Sequence, residues 1–450
     1  MTASRAAAPR RRTRSAQVFG WASVALVAAL SRRAFGLDAA VPFAPPRALP
    51  APLHGAAIAA GDFNRDGRQD VAVALPYDDA IWIYLGAASG GSTSVVSLPS
   101  GAHPSALLAA DINDDGRIDL VITNAIANSV ALLAGRGDGS FEAPRDIAAI
   151  LAPSGVASGD FNRDGRVDLA VVGRFDDTLV PLLAQPDGTF AAGSAVAVPG
   201  GPSGVAVGDL DGDGRLDAVV TVNLGDSAVF VVRGQGDGSF AAPLRSDAGN
   251  VPSQPLLVDV SDDGVLDLVV AATDDDALAV LLGRGDGSFA APALLAGGAF
   301  PAAVADADLD RDGHVDLVSA DCFDDVLSVR RGLGDGAFAV AQPIATAGMP
   351  VALAAADVDR SRVADLISVA AFSDSVSLFL NQTDPGAACL GDCDDSRHVD
   401  IDELVRSVNI ALGRLSVSDC LNADPDANAA VTINELVGAV ANALGGCPPT

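Results

Sequence analysis

The hydrophobic positions of this chain fall in short runs rather than in helical stripes. Runs such as Gly204-Val205-Ala206-Val207, Leu268-Val269-Val270-Ala271 and Ser129-Val130-Ala131-Leu132-Leu133 are bounded by Gly, Asp and Pro. Short β-branched runs with such boundaries predict β-strands. Their order repeats. A phrase Asp-x-Asn-x-Asp-Gly-x-x-Asp begins at Asp62, and related phrases begin at Asp111, Asp160, Asp209, Asp259, Asp308 and Asp357, at intervals of 49, 49, 49, 50, 49 and 49. One apolar run precedes each phrase and a second follows it. A third comes later, and a Gly-Asp-Gly-Ser-Phe turn leads into a weaker fourth. Seven such units over residues 41–382 predict an all-β, seven-bladed β-propeller. The phase of the repeat predicts how the ring closes. The last unit stops after its third strand, Ser375 to Leu380, and Val41-Pro42-Phe43-Ala44-Pro45 matches the fourth-strand sequence Phe141-Glu142-Ala143-Pro144. The N-terminal segment would then complete the final blade and remove the open sheet edge. A linear solenoid is the alternative arrangement.

Oxygen-bearing side chains occupy positions 1, 3, 5 and 9 of the phrase, with Gly at position 6. Alternate spacing on a tight loop turns several oxygens inward, and the carbonyl at position 7 can add another. Calcium takes six to eight hard oxygens, which predicts Ca2+ sites here. The first would use Asp62, Asn64, Asp66, Asp70 and the carbonyl of Arg68. The second and third would use Asp111, Asn113, Asp115, Arg117 and Asp119, then Asp160, Asn162, Asp164, Arg166 and Asp168. The fourth and fifth would use Asp209, Asp211, Asp213, Arg215 and Asp217, then Asp259, Ser261, Asp263, Val265 and Asp267. Asp308, Asp310, Asp312, His314 and Asp316 form the sixth set. The seventh phrase keeps Asp357, Asp359 and Asp365 but has Ser361 at position 5 and Arg362 in place of Gly, so about six propeller ions are expected. A turn whose side chains merely cap backbone amides is the competing reading for one copy. Repetition in register favours metal, because clustered carboxylates repel unless a cation sits among them.

These units resemble the FG-GAP, or VCBS, repeats of bacterial surface proteins, which are similar to the propeller of integrin α subunits. The resemblance implies seven blades with calcium in the hairpin between the first and second strands of a blade. Relatives serve in adhesion, ligand binding and lectin activity, so it fixes a fold better than a function.

After a linker at residues 383–388 the pattern changes, and residues 389–450 form a separate module. Two acidic loops start at Asp392 and Asp424. Their candidate ligands are Asp392, Asp394, Ser396, His398 through its carbonyl, Asp400 and Glu403, and Asp424, Asp426, Asn428, Ala430 through its carbonyl, Thr432 and Glu435. Glu at position 12 of an EF-hand loop can bind calcium through both oxygens, so up to two further ions are expected. Each loop runs into an amphipathic helix, Glu403 to Leu412 and Glu435 to Leu444. The pair resembles a type I dockerin, a small all-α module, which implies docking to a cohesin-like partner. A calcium-stabilised cap is the alternative. Cys389, Cys393, Cys420 and Cys447 lie in this module and predict two disulfides of open pairing, while Cys322 is expected as a buried propeller thiol.

Charge narrows the function. The chain carries 28 basic residues, all Arg, against 58 acids, of which only Glu142, Glu403 and Glu435 are Glu. A net charge of −30 argues against nucleic acid and anionic membranes. Residues 1–36 hold seven Arg, no acid and an apolar run from Val18 to Leu30, which predicts a signal peptide, a secreted or cell-surface protein and no membrane span in the mature chain.

Other features are weaker. Arg136-Gly137-Asp138 and Arg284-Gly285-Asp286 read as Gly-rich turns rather than integrin-recognition tripeptides. Asp78-Asp79, Asp176-Asp177 and Asp324-Asp325 recur after the second strand, and their recurrence favours a structural or ligand-rim role over glycosidase chemistry. The expectation is a non-enzymatic propeller that presents a surface to a protein or glycan ligand. A polysaccharide lyase or hydrolase is the alternative, and its repeat-breaking candidates are Tyr77, Trp82, Tyr84 and His103.

Overall fold

A computed structural model describes residues 40–50, 54–87, 91–225, 227–373 and 375–383, with a helical stretch at 405–406 and 408–410. The chain divides into two units, Met1–Ala40 and Val41–Thr450. The expected signal peptide, the four module cysteines and both EF-like loops lie outside the described residues. Among the described residues no helix is long and apolar enough to cross a membrane.

The second unit contains seven antiparallel sheets in chain order, six of four strands and one of five. The second blade shows the plan, with strands Pro104–Ala110, Asp119–Asn124, Ser129–Leu133 and Arg145–Ala149. Its second strand, DLVITN, is buried throughout, and the same holds in all seven blades. A sheet covered on both faces needs near-continuous apolar residues rather than alternation, which is why these runs lack a period of two. The fourth strands of the second, fourth and fifth blades are short and largely exposed, whereas that of the first blade, Gly91–Pro99, runs nine residues. In the third blade that strand is broken into Phe190–Ala192 and Val196–Ala197, both paired with Thr178–Ala184.

The hydrophobic core lies between blades. Ala72, Ala74, Ile81 and Ile83 of the first blade pack on Leu120, Ile122 and Leu133 of the second. Near the ring centre the first strands are tied by Ser hydroxyls, with Ser105 Oγ donating to Pro153 O at 2.7 Å and Ser154 Oγ to Pro202 O at 2.8 Å.

The ring closes as the repeat phase implies. Arg47–Pro50 pairs antiparallel with Ser375–Phe379, and Val71, Val73 and Tyr84 pack on Ile367, Val369 and Leu378. This rules out the linear solenoid. The pairing strand lies a few residues beyond the segment expected from sequence. Phe43 makes only an isolated bridge to Asn381, as Phe141 does to Gly135, and the chain reaches full pairing after the proline-rich turn.

Candidate metal centres and the opposite face

Each Asp-rich phrase is the hairpin loop between the first and second strands of its blade. Sharp local bending comes from two left-handed residues. Position 4 has φ between +55° and +72° in all seven loops, and position 6 has φ between +68° and +88°. Gly serves position 6 in six loops. In the seventh, Arg362 adopts φ +68° and its N–H still donates to Asp357 Oδ2 at 2.8 Å. The loop expected to be weakest therefore keeps the backbone of the others.

The third loop shows the side-chain plan. Asp160 accepts from the N–H of Asp164 and Gly165 at 3.1 and 2.9 Å, and Asn162 Oδ1 accepts from Asp164 N at 3.0 Å. Asp168 is fully buried at the head of the second strand. Its Oδ2 accepts from Phe161 N at 3.0 Å and its Oδ1 from Ala184 N at 2.7 Å. Position 9 repeats this double clamp in every blade at 2.7–3.2 Å. It ties the loop to the end of the third strand. In the seventh blade that end is Asn381, the residue that bridges Phe43.

Positions 1, 3 and 9 converge. Where position 3 is Asp, ligand oxygens of Asp209, Asp211 and Asp217, of Asp308, Asp310 and Asp316, and of Asp357, Asp359 and Asp365 lie within 4.8 Å of one another. Position 5 behaves differently. Asp66 and Asp164 pair with Arg68 and Arg166 at 3.4 and 2.8 Å, Asp115 pairs with Arg117 at 2.5 Å, and Asp213 pairs with Arg215. Sequence reading used only the carbonyl of position 7 and missed its side chain. The signal was present, since Arg recurs there in the first four loops. Arg233 and Arg331 similarly hold Asp211 and Asp310 at 3.1 Å.

The electrostatics favour a cation. Burial first, and then the neighbouring carboxylates, push Asp70 up to about 6 and Asp316 and Asp365 up to about 7. Burial raises Asp119, Asp168, Asp217 and Asp267 in the same direction. An all-oxygen donor set of this charge fits a hard divalent ion such as Ca2+, which would hold these groups ionised. Among the described residues these three triads are the acidic groups whose carboxylates already lie close enough to share one ion.

In an antiparallel meander the turns alternate ends, so the turn between second and third strands lies opposite the metal loops. The residue 15 positions after the start of each phrase is Tyr77, Ile126, Phe175, Leu224, Asp274, Phe323 or Phe372. The six apolar ones are 47–74 % exposed. Ring contacts join several of them to the next turn: His54 lies 4.9 Å from Tyr77 and 5.6 Å from Phe372, Tyr77 lies 5.9 Å from His103, and Phe300 stacks on Phe323 at 4.6 Å. Sequence reading missed this ring because single apolar residues in turns carry no period within one blade.

The paired aspartates have a structural member. Asp79, Asp177 and Asp325 sit at positive φ and accept from His103, Gly201 and Met349 N–H in the following blade at 2.7–2.8 Å. The enzyme candidates separate. Tyr77 and His103 share the ring, whereas Tyr84 is buried and donates to Pro50 O at 2.8 Å, bracing the closing strand. Cys322 is a buried free thiol. The Arg-Gly-Asp segments are turns, in which Asp138 and Asp286 accept from Ser140 and Ser288.

The FG-GAP-like repeat matches residues 62–122, 111–171, 160–220, 259–319 and 308–368, together more than half of the chain. No curated protein matches it in sequence. Solved structures of the same fold include BBS1N in complex with ARL6DN, at 13 % identity and TM-score 0.53, covering 75 % of this chain and 96 % of that one. A Lactobacillus plantarum protein matches at 17 % identity and TM-score 0.51, covering 68 % and 89 %. A candidate 6-phosphogluconolactonase from Bacteroides uniformis matches at 16 % identity and TM-score 0.52, covering 66 % and 86 %. At these identities the likeness concerns the fold.

Proposed function

The chain belongs to the FG-GAP-like repeat family, and from that premise we propose that it is an exported, calcium-loaded propeller that acts by recognition rather than catalysis. The ring of exposed apolar side chains opposite the metal loops carries this reading. A soluble surface rarely presents large apolar groups at equivalent positions of six blades unless something covers them. Its partner is a protein or a glycan. Calcium stands at the other end of each blade, where it offsets carboxylate repulsion and stiffens the loop that begins the buried second strand. The residues named above in the seven loops are the proposed ligands. In the C-terminal module, the loops beginning at Asp392 and Asp424 would take up to two more ions and present a docking surface to a cohesin-like partner. Export would follow from residues 1–36.

The test is calcium stoichiometry on the purified protein, with a melt in the presence and absence of chelator. About eight ions, and a melting temperature that falls on chelation, are expected. A metal-free protein with an unchanged melt would overturn the calcium reading. For the ring, a Tyr77→Ser, Phe175→Ser, Phe323→Ser variant should keep its melting temperature and lose capture of partners from a protein array. Unchanged capture would overturn the binding face.

A further inference from the structure

A cavity of about 580 Å³ opens between the second and third blades, at the end that carries the metal loops. Its walls are the metal loop of the second blade, the start of that blade's fourth strand, and the hairpin before the broken fourth strand of the third. The volume lies within the range of small-molecule sites. Three of its lining residues depart from the repeat. Glu142 stands where other blades have Ala241, Ala290 and Ala339, and it is the only Glu before the C-terminal module. Arg145 stands where they have Leu244, Ala293 and Gln342, and Pro186 replaces Gly137, Gly236, Gly285 and Gly334. Arg145 Nη2 donates to Gly188 O at 2.9 Å, joining the two blades at this cavity.

We propose that this cavity is a binding site for a short neutral saccharide. It goes beyond the recognition face, since it lies at the opposite end of the blades. The lining chemistry selects the class. Phe190 offers a half-buried aromatic ring and Pro186 an apolar edge, surfaces that suit the C–H face of a sugar. Asp114, Glu142 and Asp187 place carboxylates around the cavity and Arg145 and Arg166 place guanidiniums. An anionic ligand would meet the acids and a cationic one the arginines. Hydroxyl groups donate to one set and accept from the other without net charge, and the Gln185 amide can do both. Asp187 is already engaged by Thr189, whereas the Glu142 carboxylate has no donor among the described residues and remains able to bind a ligand.

The experiment is saturation-transfer NMR on the full calcium-loaded chain with cellotriose, maltotriose and triacetylchitotriose, and trigalacturonate as the anionic control. Transfer to at least one neutral trisaccharide is expected, and none to trigalacturonate. Glu142→Ala should raise Kd about ten- to a hundredfold, the value of hydrogen bonds to a charged group, and leave the melting temperature unchanged. Phe190→Ala should also weaken binding, and Tyr77→Ser should not. No transfer to any neutral probe, tighter binding of trigalacturonate, or binding insensitive to both Glu142→Ala and Phe190→Ala would overturn the site. Loss of partner capture by the ring variant with saccharide binding intact leaves the site standing, so the two readings fail separately.

Discussion

Replacing Asp168 by Ala isolates the structural half of a candidate metal loop. The carboxylate is fully buried and accepts from Phe161 N at 3.0 Å and Ala184 N at 2.7 Å. Its removal leaves two backbone N–H groups in the interior without an acceptor. Each costs about 1–3 kcal/mol. The variant no longer has to bury a carboxyl whose ionisation desolvation already disfavours, which offsets part of the loss. The net is about 3 kcal/mol. For a propeller of this length each kcal/mol lowers the melting temperature by about 1.5 °C, so a fall of about 4–5 °C is expected. The melt must be followed with chelator present, so that loss of an ion does not contribute. Asp164→Ala is the control, because that carboxylate is more exposed and its main partner is the neighbouring Arg166, a solvent-screened surface pair that adds little to stability. If both variants melt within about 1 °C of the parent, the clamp contributes no stability and the reasoning fails.

Two further outcomes follow from the same geometry. The folded-state pKa of Asp70 is raised to about 6, and those of Asp316 and Asp365 to about 7, from an ordinary value of 3.8. In the folded chain these three groups therefore bind more protons between those values, and without metal their contribution to stability is fully present below about 3.8 and is lost as pH rises towards 7. Chelated protein should melt higher at pH 5 than at pH 8. Saturating calcium should remove or reverse the trend, and a chelated melt that rises with pH would contradict it. Deleting residues 41–50 removes the strand paired with Ser375–Phe379 and the bridge from Phe43 to Asn381. The ring should open, with a lower melting temperature and association of the bared edge seen by light scattering. A monomer with the parent melt would show that closure contributes nothing.

Much of this protein is legible in its residues because the repeat carries the information seven times. Strands, blade number and the phase that sends the N-terminal segment to the last blade all follow from local patterning and a fixed period, although the paired residues are Arg47–Pro50 rather than Val41–Pro45. The candidate oxygens of each loop are legible in the same way, since Asp62, Asn64, Asp66 and Asp70 suggest a donor set within nine residues. Reading stops where a side chain's role depends on what lies across a blade. Asp168 takes part in the loop, yet one of its two clamps reaches Ala184, at the end of the third strand. Asp164 reads as an equal ligand, yet it faces Arg166. Arg362 reads as a defect, yet its backbone takes the left-handed angle that the other loops assign to Gly. The ring of Tyr77, Phe175, Phe323 and Phe372, and the cavity beside Glu142, consist of residues about 49 positions apart or from adjoining blades. Local chemistry writes each blade. Packing one blade against the next determines which groups meet, because burial, hydrogen-bond satisfaction and charge repulsion are properties of neighbours in space.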